Sequence, residues 1–243
     1  MQDALVARGL VKRYRRTLAV DGVDLTVGAG ERVALLGPNG AGKTTTLLML
    51  LGAIAPDAGT VEIFGHPLPR ARSRAMADVG FAAGYLPLPE RLRVAELLGV
   101  FGQLYGIADP RPVVAAGLER FGISHLADAM ASELSSGQRT LVGVVKATMH
   151  EPKLLVLDEP TASLDPDVAH RVRGGLDRIC EENGTALLVT SHNMSEVERV
   201  CERVVFMSFG CVVADGAPAD VAAQFGQPNL EQVFLHLASE EER

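Results

Sequence analysis

The chain has 243 residues, with 30 acidic against 23 basic side chains and a net charge of −7, a balance that argues against a polyanion as its main partner. Apolar residues make up 47% and charged residues 22%. That excludes a disordered or fibrous chain and leaves one large domain or two small ones, burying about 70–75% of the surface.

The first residues, Met1-Gln2-Asp3-Ala4, lack the basic start and apolar stretch of a secretory signal, so the chain is expected to stay in the cytosol. Lys12-Arg13-Tyr14-Arg15-Arg16 then sets one aromatic in a basic cluster. By itself this fits a solvated strand end, a nucleic-acid contact or a stacking platform. The acidic balance and the lack of further interleaved aromatics count against nucleic acid. Val23 to Val27 alternates apolar and polar before Gly28-Ala29-Gly30, the pattern of a half-exposed antiparallel strand ending in a tight turn. Arg32 to Leu36 reads as a continuous apolar strand, Gly37 to Gly42 as a glycine-rich loop and Lys43 to Leu51 as a helix. The longest nearly uninterrupted apolar run, Leu47 to Ala55, is far short of the about 20 residues that cross a bilayer.

Gly84-Tyr85-Leu86-Pro87-Leu88-Pro89 carries two prolines and reads as a hinge or exposed connector. It leads into a helical stretch marked by Leu92, Val94, Leu97, Leu98, Phe101 and Leu104. Leu154 to Leu157 and Ala186 to Val189 are apolar runs without alternation, separated by helical sequence, as parallel strands covered on both faces would be. Asn229 can cap a last helix whose Leu230, Val233, Phe234 and Leu237 share a face and which frays into Ser239-Glu240-Glu241-Glu242-Arg243. Cys180, Cys201 and Cys211 are odd in number and lack metal-ligand spacing, so core packing is expected of them. The class is α/β.

Gly37-Pro38-Asn39-Gly40-Ala41-Gly42-Lys43-Thr44 has two glycines bracketing a phosphate-sized loop, then a lysine and a hydroxyl residue. The glycines let successive N–H groups point inward, Lys43 sets a cation on the β and γ phosphates, and Thr44 offers its hydroxyl to Mg²⁺. Leu154 to Leu157 ends in Asp158-Glu159, at the carboxyl edge where α/β sheets bind ligands. Asp158 can hold the Mg²⁺ hydration shell, and Glu159, on the opposite side of the strand, can orient or deprotonate an attacking water. Taken alone, the pair is equally a strand running into a charged loop. His192 arrives at the same edge after Ala186 to Thr190; spacing leaves open a bland strand-end histidine or a hydrogen bond to the γ phosphate.

Leu134-Ser135-Ser136-Gly137-Gln138, about twenty residues before Asp158, resembles the signature sequence of ABC transporter ATPase subunits. The resemblance runs through nearly the whole chain. Residues 37 to 45, including Asn39, Gly40, Ala41 and Thr45, look like Walker A; residues 154 to 159 look like Walker B with its catalytic glutamate; Ser163-Leu164-Asp165 looks like the D-loop. Tyr14 looks like the adenine-stacking aromatic, with Val20 implied as a further nucleotide contact, and His192 looks like the switch histidine. What this implies is a P-loop NTPase with a RecA-like core, an N-terminal antiparallel β subdomain and an inserted α-helical subdomain. The implied boundaries are 1–85 for the β subdomain and first part of the core, 86–150 for the helical subdomain, 151–215 for the rest of the core and 216–243 for a helical tail.

The resemblance also implies that ATP is sandwiched between two subunits, with Ser135, Ser136, Gly137 and Gln138 of one closing over the γ phosphate of the other. Ser135 can itself cap the helix that follows, whose N-terminus is an anion site. MgATP hydrolysis would power a separately encoded integral-membrane permease, placing the subunit peripherally on the cytoplasmic face of the membrane, with no nucleic acid as partner. Leu230-Glu231-Gln232-Val233-Phe234-Leu235, after Asp215-Gly216-Ala217-Pro218, looks like the tail of ABC-2 exporter ATPases. Two departures stand out: Ser136 replaces a glycine of the signature, and Gly84 falls where the Q-loop glutamine is expected, removing a metal ligand that water can replace. Gly84 supports an alternative expectation, a nucleotide-gated interaction module with slow turnover.

Overall fold

The computed structural model describes residues 3–84, 87–162 and 164–241. Tyr85 and Leu86 of the connector, Ser163 of the D-loop segment, and Glu242 and Arg243 of the tail lie outside them. The chain divides into two compact units, Met1–Met76 with Ala186–Arg243, and Ala77–Thr185.

The first unit opens with β1 (Leu5–Tyr14) and β2 (Thr17–Val27), paired antiparallel. The expected alternation appears in β2, where Val23, Leu25 and Val27 are buried and Asp24 and Thr26 exposed. β3 (Arg32–Leu36) follows, with Val33 to Leu36 fully buried, then α1 (Lys43–Leu50). β4 (Ala58–Ile63) and β5 (His66–Pro67) complete an antiparallel sheet of order β2-β1-β4-β5, and α2 is the short helix Arg72–Met76.

The second unit holds β6 (Val79–Ala83), then α3 (Val94–Leu104), α4 (Pro110–Arg120) and α5 (Ser136–Thr148). Next come β7 (Leu154–Asp158), fully covered along Leu154 to Leu157 and parallel to β6, and α6 (Pro166–Asn183). The helical stretch is present as expected, with Val94, Leu97 and Leu98 at 0% exposure, but Leu104, the last residue of α3, is 73% exposed.

The chain returns to the first unit as β8 (Ala186–Thr190), α7 (Met194–Val200), the hairpin of β9 (Arg203–Ser208) and β10 (Cys211–Gly216), α8 (Pro218–Gln224) and α9 (Leu230–Glu241). β3 is flanked by β8 and β9, both parallel to it, and β10 pairs antiparallel with β9. Asn229 Oδ1 accepts from Gln232 N at 3.0 Å, the expected cap. The expected fraying does not begin at Ser239; the backbone stays helical to Glu241. Cys180 and Cys201 are buried and Cys211 is half-buried. Among the described residues no helix is long and apolar enough to cross a membrane.

Candidate functional site

In the first unit, parallel registry sets the site. Leu35 pairs with Thr190 and Leu36 with Phe206, so three segments leave one carboxyl edge side by side. These are the glycine loop, Ser191-His192, and the turn of Ser208 to Gly210.

The loop's glycines are required by what surrounds them. Gly37 has φ 144° and a Cβ there would lie 2.1 Å from the Met207 carbonyl oxygen. Gly42 has φ 100°, and its Cβ would lie 2.4 Å from the Ala19 carbonyl oxygen and 3.4 Å from Val20 Cγ2. β9 and β2 therefore press directly on the loop backbone. Gly210 N donates to Ala41 O at 3.1 Å, and Asp21 N donates to Gly210 O at 2.8 Å, so the β9–β10 turn ties the loop to β2. Sequence reasoning missed this buttress, although Phe209-Gly210 after the apolar run Val204 to Met207 is a readable hairpin turn.

Lys43 is buried, and its Nζ donates to Gly37 O at 2.5 Å and Pro38 O at 2.9 Å. The cation thus already lies inside the curl of the loop. Asn39, Gly40 and Thr44 are exposed, Thr45 half-exposed, and Ala41 buried. Val20 is fully buried, forming the floor under Gly42.

Tyr14 ends β1 with 45% of its surface exposed, opposite Thr17, and Lys12 Nζ lies 5.8 Å from its ring centroid. The basic cluster around it is partly neutralised. Asp57 accepts from Arg13 N at 2.7 Å and Lys12 Nζ at 2.9 Å, and these two bonds, the Arg13 one foremost, hold its carboxyl below the ordinary range. His192 is exposed just before α7; Asn193 Oδ1 caps that helix by accepting from Glu196 N at 3.2 Å.

In the second unit, Ala83 pairs with Asp158, which puts Gly84 beside Glu159 at the end of β6 and β7. Asp158 is 5% exposed. The strand stops there: Glu159 has φ 54°, so the chain turns and the carboxylate's direction is set by a left-handed residue rather than by strand alternation. A Cβ at Gly84 would meet Thr140 Oγ1 at 3.5 Å, ordinary contact, so its surroundings do not demand glycine.

Ser135 is the N-cap of α5. Its Oγ accepts from Gln138 N at 3.2 Å, while Gln138 Oε1 accepts from Ser135 N at 2.9 Å, a reciprocal capping box. Ser136 and Gly137 fill the first two helical positions, whose N–H groups have no carbonyl partner within a helix. Ser135 and Ser136 are exposed and Gly137 is half-buried. Asp165 is exposed at the N-cap of α6, its carbonyl accepting from Ala169 N at 2.8 Å.

Among the described residues no group of three or more His, Cys, Asp or Glu is arranged to hold a metal. Thr44 in the first unit offers a hydroxyl and Asp158 in the second a single carboxylate, each the hard-oxygen type of donor that Mg²⁺ accepts beside phosphate and water.

Residues 20–162 match the family described as ABC transporter. The Nod factor export ATP-binding protein I of Paraburkholderia xenovorans is 41% identical over 235 residues, covering 95% of this chain and 77% of that protein. A solved ATP-binding subunit of an ABC transporter superposes with a TM-score of 0.87 at 27% identity, covering 97% of this chain and 99% of its own. CbiO1 of Clostridium perfringens, part of the ABC transporter complex CbiONQ, gives a TM-score of 0.77 at 28% identity, covering 93% of this chain and 92% of its own.

Proposed function

The chain belongs to the ABC transporter family, and from that premise we propose that it is the ATP-hydrolysing subunit of an exporter, working as a pair with a separately encoded membrane permease. The observation that carries this reading is the phosphate loop, in which Gly37 and Gly42 lie against carbonyl oxygens where no Cβ fits and Lys43 is held inside the curl.

In this reading Tyr14 stacks on adenine while Val20 supports the loop from below. Lys43 exchanges the Gly37 and Pro38 carbonyls for β and γ phosphate oxygens, which form stronger charge-assisted bonds. Gly37, Asn39, Gly40, Ala41, Gly42, Thr44 and Thr45 line the phosphates. Thr44 and, through water, Asp158 would hold Mg²⁺, which supplies charge neutralisation to the phosphates. Glu159 orients and deprotonates the attacking water, and His192 donates to the charge that develops on the γ phosphate. The N–H groups at Ser136 and Gly137, with Ser135 and Gln138 shaping the turn, close over the nucleotide of the second copy, and Asp165 faces that copy at the junction.

A homodimer docked on its permease would sit on the cytoplasmic face of the membrane. Residues 1–85, 86–150, 151–215 and 216–243 would then act as β subdomain with the first part of the core, helical subdomain, remaining core and tail. Export is supported by the name of the 41% identical relative, and the ABC-2 type by the tail segment Leu230 to Leu235.

Steady-state hydrolysis is the test. Glu159→Gln lowers kcat by at least ~10²-fold, the scale of a lost general base, with ATP affinity retained. Unchanged turnover in Glu159→Gln would contradict the assignment. Gly84 favours a second reading, a nucleotide-gated module; barely measurable turnover in the unmodified chain with intact ATP binding would select it.

A further inference from the structure

We propose that Phe234, on α9, is a positioning residue that sets the orientation of the His192 imidazole. The two rings meet edge to face, centroids 6.0 Å apart and planes at 81°, the arrangement aromatic quadrupoles favour. The proposal rests on the reading of His192 as a γ-phosphate donor.

The contact joins an exposed side chain to a firmly seated helix. Leu230, Val233 and Leu237 are 0%, 0% and 3% exposed, so one stripe of α9 is locked into the first unit and Phe234 flanks it, half-buried. A second tie reaches the same place by another route. α7 begins two residues after His192, and its Glu198 Oε1 accepts from Leu230 N at 3.0 Å, binding α7 to the start of α9. α7 and α9 also pack against each other directly. His192 thus leaves the β8 edge with its backbone tied to α9 through α7 and its ring held against α9 through Phe234. Donation to a phosphate requires an imidazole nitrogen at a defined place, and misplacement on the ångström scale is costly in rate. An imidazole that leaves Phe234 gives up the edge-to-face contact, so the ring narrows the orientations His192 samples before nucleotide arrives.

The test compares Phe234→Leu, which keeps apolar volume and loses the ring, with Phe234→Tyr, which keeps the ring. Kinetics and histidine ring-proton NMR are read on the full chain, and the His192 signals are identified by their loss in His192→Ala. Phe234→Leu should lower kcat about 3- to 10-fold with KM for ATP within about 2-fold, and Phe234→Tyr should stay near the unmodified chain. The His192 ring-proton signals should move in Phe234→Leu, through loss of the ring current, and hold in Phe234→Tyr. Unmoved His192 signals in Phe234→Leu, or equal losses of kcat in both variants, would overturn the proposal. If His192→Ala hydrolyses ATP at the full rate, the reading of His192 fails and its positioning with it. If His192→Ala is slow while Phe234→Leu is not, only the positioning role fails.

Discussion

Gly37 and Gly40 look alike in the motif and differ in the fold. Gly37 combines φ 144° with a carbonyl oxygen where its Cβ would go, whereas Gly40, at φ 93°, has nothing within 4 Å of that point. Gly37→Ala must move the Met207 carbonyl or the loop, and should lose about 2–4 kcal/mol of stability together with ATP binding. Gly40→Ala bears only backbone strain and should cost about 1–2 kcal/mol. Urea unfolding measures both; equal midpoints would contradict the steric account of Gly37. The pattern of glycines was legible in the sequence, but the neighbours that enforce it were not, because Met207 and Ala19 are distant in the chain. Glu159 illustrates the same limit: its left-handed turn follows from where β7 stops, which an apolar run followed by two acids does not reveal.

Among the helical elements, α3 and α5 meet through an aromatic and cationic cluster. Lys146 Nζ lies 5.1 Å from the Phe101 ring centroid, and Tyr105 stacks on His150 at 4.1 Å and 22°. His150 Nε2 lies 3.2 Å from Val79 O, while Nδ1 is buried and finds no hydrogen-bond partner among the described residues. Burial holds the imidazole pKa below its ordinary value, outweighing the Val79 carbonyl and the Asp78 carboxylate that pull the other way. The sign follows from linkage. The unfolded chain takes up the proton first, so the neutral ring's contribution to stability is complete above about pH 6.5 and is lost as pH falls below it. Melting curves between about pH 7.5 and 5.5 should therefore fall more steeply for the natural chain than for His150→Phe, which keeps the stack on Tyr105. Parallel curves would contradict this.

Helical spacing had identified the inner face of α3 through Val94, Leu97 and Leu98, but Leu104 obeys the same spacing and is exposed. Periodicity reports which side of a helix is apolar, and only the packing partner reports where that side stops being covered. The cap of α5 needed no such partner: Ser135 and Gln138 are three residues apart and satisfy each other.

At the scale of the molecule, the α/β class was readable because buried parallel strands lack alternation, as Leu154 to Leu157 and Ala186 to Val189 do. β1 was harder to read. Register shifts between Ala7 and Leu10, and again around Lys12, break its alternation, and the backbone N–H of Arg13, one residue before its end, donates to Asp57 from far along the chain. A further long-range tie, Arg203 to Glu31 at 2.7 Å and to Asp215 at 2.7 Å, binds β9 to the turn before β3 and to β10. Burial alone would lower the Arg203 pKa, and the bonds from Asp215 and Glu31 outweigh it, keeping the guanidinium above its ordinary value. Asp215 faces Arg203 across the β9–β10 hairpin, whereas Glu31 is far from it in sequence.

The central claim concerns two copies rather than one. In the proposed function the N–H groups at the start of α5 would gain an anionic partner when a second subunit brought its triphosphate to them, and Glu159 would carry out the step that releases the pair. Light scattering of Glu159→Gln with and without saturating ATP measures this directly. The account predicts a species of twice the chain mass with ATP and a monomer without it; a monomer under both conditions would contradict it.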